Sequence, residues 1–116
     1  MNDKMYLETS VIIKTVGDCL KVEPEKILSK DRHRESVNAR QIAMSFSRQF
    51  TNKSLSQLGR IFNRDHATII HAVKCVKNQD EIYAAYHNEL RKIGMKLENI
   101  VEMKFDKYKH YQTELV

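Results

Sequence analysis

The chain has 116 residues, enough for one folded domain whose core needs neither disulfides nor a structural metal. Its 3 Gly and 1 Pro are too few for the many tight turns of a β-sandwich or barrel, and residues that favour helices fill long stretches. The net charge of +5 is concentrated in residues 26–64, which hold nine Lys and Arg against two acidic residues. We therefore predict an all-α fold, with a basic middle third that suits either a nucleic-acid surface or a solvated face.

Several functional classes are disfavoured by what the sequence lacks. Cys19 and Cys75 lie in separate amphipathic segments, which argues against a zinc site or a disulfide. No apolar run is long enough for a membrane span or placed as in a signal peptide. The three glycines lie about 40 residues apart and cannot form a Gly-rich phosphate loop, and no catalytic spacing is apparent. We expect a cytoplasmic protein that is not an enzyme, with no metal, cofactor, nucleotide or membrane association.

The first third is predicted to contain two helices and a basic loop. Apolar residues recur at helical spacing over residues 11–20, directly after Thr9 and Ser10, which can cap a helix. Pro24 suits the first turn of a short helix that ends at Leu28. The following stretch, SKDRHRE, should be a loop, either a solvated linker or an arm that follows DNA.

The central third is predicted to contain three more helices. The first covers residues 37–50, and the second covers residues 55–62, where Ser54 and Gln57 can form a capping box and Gly59 allows close approach of another helix. Asp65 can cap the next helix after a turn of three residues. This spacing fits a helix-turn-helix or a plain helical hairpin. Its buried positions are predicted to be Leu58, Ile61 and Phe62 in one helix and Ile69, Ile70, Val73 and Val76 in the other.

Residues 81–116 are predicted to form one long amphipathic helix, with Gly94 as a point where it could break. Apolar residues recur every three or four positions as far as Phe105 and Tyr108. Lys104 and Lys107 would interrupt a strict heptad. The helix could pack back on the domain or pair with another chain, including a second copy.

The stretch ARQIAMSFSRQFTNKSLSQLGRIFNRDHATIIHAVKCV, residues 39–76, closely resembles the C-terminal DNA-binding domain of the bacterial replication initiator DnaA. The run RDHATIIHA carries the family signature, and a looser likeness extends over residues 8–78. The resemblance implies a small Trp-repressor-like helical bundle with a helix-turn-helix over residues 1–80 in a nucleoid-associated protein. The long helix predicted from periodicity forms a C-terminal extension over residues 81–116. It also implies binding to double-stranded DNA at a DnaA-box-like site, in replication initiation or transcription.

The resemblance assigns roles to sixteen positions. Residues that would contact bases are Arg32 in the minor groove and Leu55, Ser56, Asp65, His66 and Ala67 in the major groove. Residues that would contact phosphates are Lys30, Arg34, Arg40, Gln41, Arg48, Thr51, Asn52, Ser54, Thr68 and His71.

Three departures from the family pattern bear on specificity. Ala67 replaces a Thr, Ser56 replaces a Pro, and Asn63 stands in a shortened turn in place of two glycines. Because Asn tolerates a left-handed backbone, we expect the turn to form. The alternative function is a helical adaptor that binds another protein and has lost base recognition. The Met1 start and the long C-terminal helix favour a freestanding relative over a fragment.

Overall fold

The computed structural model describes the backbone of residues 6–115 and the side chains of residues 6–104. All regular secondary structure within that part of the chain is helical, which confirms the predicted fold class. The helices are α1 (Thr9–Leu20), α2 (Pro24–Leu28), α3 (Arg34–Phe50), α4 (Leu55–Phe62), α5 (His66–Ile82) and α6 (Ala84–Leu115).

The starts of the first three helices agree with the sequence only in part. The N-cap of α1 is Glu8, which makes no capping bond through its side chain, so the cap predicted at Thr9 and Ser10 is wrong. Pro24 occupies the first turn of α2 as predicted. Helix α3 begins at Arg34, three residues before the predicted start, and this shortens the basic loop.

Helices α4 and α5 form the helix-turn-helix that the spacing predicted. The capping box is present, because the Gln57 amide donates to Ser54 Oγ at 3.1 Å and the Ser54 amide donates to Gln57 Oε1 at 2.8 Å. Asp65 caps α5 by accepting a bond from the Ala67 amide. Between them Asn63 adopts the left-handed conformation, with φ 53° and ψ 50°, so the shortened turn forms without a glycine pair.

Helix α3 lies at the centre of the bundle and packs against α1, α2, α4 and α5. Fully buried residues from four helices meet there, among them Ile12, Ile42, Leu58, Phe62 and Ile69. Two predicted core positions are wrong: Ile61 and Ile70 are exposed.

Gly59 serves the turn rather than the packing of two helices. A Cβ atom at this position would lie 2.6 Å from the carbonyl oxygen of Arg64. No side chain can be accommodated at that distance unless the backbone of the turn moves. Gly59 therefore allows the chain to fold back directly from α4 into α5.

Helix α6 packs back on the domain along its first half. Helix α5 continues to Ile82, past the boundary expected at residue 80, and Tyr83 separates it from α6. Ile93 and Leu97 of α6 are fully buried, and α6 contacts both α1 and α5. The helix runs through Gly94 without a break. The side chains at positions 105 and 108, which are expected to continue its apolar stripe, lie outside those described.

None of the helices in residues 6–115 is long and apolar enough to span a membrane.

Candidate nucleic-acid interface

The first two turns of α5 present an accessible, mostly polar face. His66 and Asp65 are exposed, with 60% of the His66 side chain accessible. The Nδ1 atom of His66 lies 3.1 Å from Asp65 Oδ1, the same oxygen that caps the helix. This contact orients the ring and leaves Nε2 free to face a ligand. Ala67 is exposed beside it, so three of the expected base-contacting residues lie together at the tip.

An open groove separates this tip from α4. Ser56 and Arg60 of α4 line one side, one helical turn apart, and His66 lines the other. Leu55 is half-buried at the start of α4 and packs against the core. Arg60 was not anticipated from the sequence, although its position four residues after Ser56 places it on the same face. Arg60 therefore places a cation in this groove, beside the expected base-contacting residues.

The basic loop before α3 is ordered by a carboxylate at its centre. Asp31 accepts a bond from Ser36 Oγ at 2.5 Å and lies 2.6 Å from the Nδ1 atom of His33. These two contacts, the serine bond first, lower the pKa of Asp31 to about 2. The expected DNA-contacting residues Lys30, Arg32 and Arg34 are exposed around it. The loop and the first residue of α3 thus present three cations, while the one carboxylate of the loop is held internally.

Arg40, an expected phosphate contact, is buried against the backbone that precedes α3. It is only 6% exposed, and its Nε atom donates to the carbonyl oxygen of Ile27 at 2.7 Å. One terminal nitrogen, Nη2, donates to the carbonyl oxygens of Lys26 and Asp31, both at 3.0 Å. Burial lowers the pKa of Arg40, and the nearby charge of Arg64 lowers it further. The guanidinium thus joins α3 to the backbone that leads into the basic loop, and the phosphate contact expected of Arg40 stays a prediction.

Arg64, which the sequence did not single out as a site residue, holds the same loop from the other side. It lies in the turn between α4 and α5, and its Nη2 atom donates to the carbonyl oxygen of Ser29 at 2.9 Å. Its Nη1 atom donates to the carbonyl oxygens of Phe62 and Asn63 within the turn. Arg64 therefore links the basic loop directly to the helix-turn-helix. The sequence feature that could have pointed to Arg64 is its place as the first residue of the family signature RDHATIIHA.

The remaining phosphate-contacting candidates differ in accessibility. Arg48, Asn52, Ser54 and His71 are exposed, whereas Gln41 and Thr68 are half-buried. Thr51 is buried, and its hydroxyl donates to the Ser47 carbonyl oxygen at 2.6 Å and accepts from the Lys53 amide. A phosphate contact from the Thr51 hydroxyl does not fit this arrangement, and the residue instead ends α3.

No metal-binding cluster is present among the described side chains, where no three His, Cys, Asp or Glu residues come together. His71 instead lies on the outer face of α5 with its Nε2 atom 3.3 Å from the thiol of Cys75. Cys75 and Cys19 are both free.

Helix α5 is capped, has an accessible polar tip and follows α4 after a three-residue turn, beside a cationic loop. These features define a class of protein, the DNA-binding helix-turn-helix domain. The comparisons with known proteins agree. Residues 9–76 match the family described as bacterial dnaA protein helix-turn-helix, and the chain belongs to this family.

Curated relatives carry the name chromosomal replication initiator protein DnaA. The protein from Bacteroides thetaiotaomicron is 42% identical over 93 residues, which cover 79% of this chain and 20% of the relative. The protein from the Wolbachia of Brugia malayi is 43% identical over 86 residues, covering 71% and 19%. The protein from Desulfotalea psychrophila is 38% identical over 73 residues, covering 63% and 15%. The chain thus corresponds to about a fifth or less of the length of these relatives.

Proposed function

We propose that this domain binds double-stranded DNA in a sequence-specific manner at a DnaA-box-like site, in the control of replication initiation in the bacterial cytoplasm. The observation that carries the proposal is the accessible tip of α5, where the side chains of Asp65 and His66 are exposed to solvent. The names of the relatives support the link to replication. The proposal describes a binding domain without a catalytic step.

In the proposed complex the tip of α5 enters the major groove. His66 and Asp65 then offer hydrogen-bonding groups to base edges, and the methyl group of Ala67 can contact a thymine methyl. Arg32, on the loop held by Asp31 and Arg64, enters the adjacent minor groove, where A·T-rich sequence concentrates negative potential. The exposed cations Lys30, Arg34 and Arg48 contact phosphates, which positions the domain without selecting sequence.

The test is a titration of two labelled duplexes, one with a TTATCCACA box and one scrambled, at two salt concentrations. We expect tighter binding to the box and a salt dependence that corresponds to about three neutralised phosphates, those of Lys30, Arg34 and Arg48, with a log–log slope near −3. Equal affinity for both duplexes at each salt concentration would contradict specific recognition of this box and favour the adaptor hypothesis.

Two variants separate base contacts from phosphate contacts. His66→Ala should weaken binding to the box by about 1–3 kcal/mol and leave the scrambled duplex nearly unaffected. Arg48→Ala should weaken both and flatten the salt slope by about one unit. His87→Ala is the matched control, because this exposed histidine pairs with Asp80 near the opposite end of α5. If His66→Ala reduces the affinity for both duplexes equally, His66 has no role in base recognition.

A further inference from the structure

Ile70 is an exposed apolar residue on the outer face of α5. It is 38% exposed, whereas its neighbour Ile69 is fully buried in the core. Ile70 lies one turn after His66 and one turn before Lys74, and all three are exposed. Ala67, three residues earlier, is exposed on the same face. The outer face of α5 therefore carries two apolar side chains within a polar surface.

Helix formation does not account for an isoleucine at this position. A β-branched side chain loses rotamer freedom in a helix, so leucine or a long polar residue would favour α5 more. Ile70 also lies outside the hydrophobic core, to which Ile69 and Ala72 of the same turn belong. Ile70 differs from Ile82, the other exposed isoleucine of α5, in lying one turn from His66 at the tip of the helix.

The geometry of the proposed complex limits what this ligand can be. Ile70 lies four residues after His66, about 6 Å along the helix axis, which is less than the depth of the major groove, about 8.5 Å. A residue at this distance still lies within the major groove when His66 contacts bases. The one apolar group on the base edges of the major groove is the C5-methyl of thymine.

We propose that Ile70 is a specificity-determining residue that contacts the C5-methyl group of a thymine next to the base pair read by His66. The inference rests on the proposed binding of DNA by α5. Ala67 and Ile70 then form a continuous apolar strip between His66 and His71, so that the helix selects a thymine by its methyl group in addition to hydrogen bonds.

The test uses thymine-to-uracil replacement, which removes the methyl group and leaves base pairing unchanged. The preferred duplex is first selected from a random pool, and each thymine on both strands is then replaced singly. We expect one replacement to weaken wild-type binding about fourfold, the equivalent of burying one methyl-sized group. For Ile70→Ala the same replacement should change affinity less than 1.5-fold.

Ile82→Ala is the matched control. Ile82 lies on the same helix and is 68% exposed, but it is about 24 Å from His66 along the axis. This variant should keep the fourfold preference for thymine. Thermal unfolding of Ile70→Ala confirms that it is folded, as an exposed position predicts.

The outcomes distinguish this inference from the proposed function. A wild-type protein that selects no sequence overturns both. Specific binding in which wild type and Ile70→Ala show the same ratio of thymine to uracil affinity at every position overturns the role of Ile70 alone.

Discussion

Replacement of Arg40 by alanine tests whether this residue holds the basic loop or contacts DNA. In the structure the guanidinium is buried and donates to three backbone carbonyl oxygens, those of Lys26, Ile27 and Asp31. A residue with this role stabilises the domain in the absence of DNA. A surface residue that only contacts phosphate does not, so the free energy of unfolding without DNA separates the two interpretations.

The expected magnitude follows from the accessibility of the three acceptors. The bond from Nε to the Ile27 carbonyl oxygen is buried, whereas the two bonds from Nη2 lie in partly buried surroundings. Loss of the buried bond leaves an unsatisfied acceptor at about 1–3 kcal/mol, while water can replace part of the other two. We therefore expect Arg40→Ala to lower the free energy of unfolding by about 2–4 kcal/mol, a large share of the ~5–15 kcal/mol typical of a domain.

The assay is urea unfolding of the free protein, followed by circular dichroism. Arg48→Ala is the matched control, because Arg48 lies on the same helix and is exposed, and it should change stability by less than about 0.5 kcal/mol. Arg40→Lys should recover only part of the loss, since one ammonium group cannot reproduce the fork of a guanidinium. If Arg40→Ala were as stable as Arg48→Ala, the structural role of Arg40 would be refuted.

Three further predictions concern the turn, the loop and the base of α6. Gly59→Ala should destabilise the domain by about 1–3 kcal/mol through the contact with the turn backbone, whereas Gly94→Ala, which meets only ordinary contacts, should be neutral or stabilising in thermal unfolding. Ser36→Ala should raise the pKa of Asp31 from about 2 toward 3.8 in a carboxyl NMR titration. Because the wild-type pKa is lowered, this carboxylate contributes stability above pH 3.8 that is lost as the pH falls through about 2. The variant, whose pKa lies nearer 3.8, should have less of this stability to lose. Tyr86→Phe should raise the melting temperature slightly, because it removes a buried hydroxyl that has no partner among the described residues and whose pKa burial raises to about 12.

Local signals in the sequence were sufficient for most of the helices. Pro24, the capping box at Ser54 and Gln57, and the cap at Asp65 each act through bonds within one turn, so their pattern is visible in the sequence. The predicted start of α3 is three residues too late, because polar residues at a first turn look the same as polar residues in a loop.

Properties that depend on distant contacts could not be predicted from periodicity. Ile61 and Ile70 fit the apolar stripes of α4 and α5, yet both are exposed, since adjacent Phe62 and Ile69 already fill the core. The roles of Arg40 and Arg64 depend on carbonyl oxygens 9 to 14 and 35 residues away. No pattern within a single helix indicates whether an arginine points to solvent or to such an acceptor.

The two arginines also explain how the proposed minor-groove and major-groove elements can act as one rigid surface. Arg40 fixes the basic loop to α3, and Arg64 fixes it to the turn that precedes α5. Ordering the backbone costs about 1–2 kcal/mol per residue, so a free loop would lose much of the binding energy that Arg32 gains in the proposed complex. In this domain that ordering occurs when the protein folds, before DNA is present. The register between Arg32 and His66 is then set by the protein, which favours a site in which both contacts are available at once.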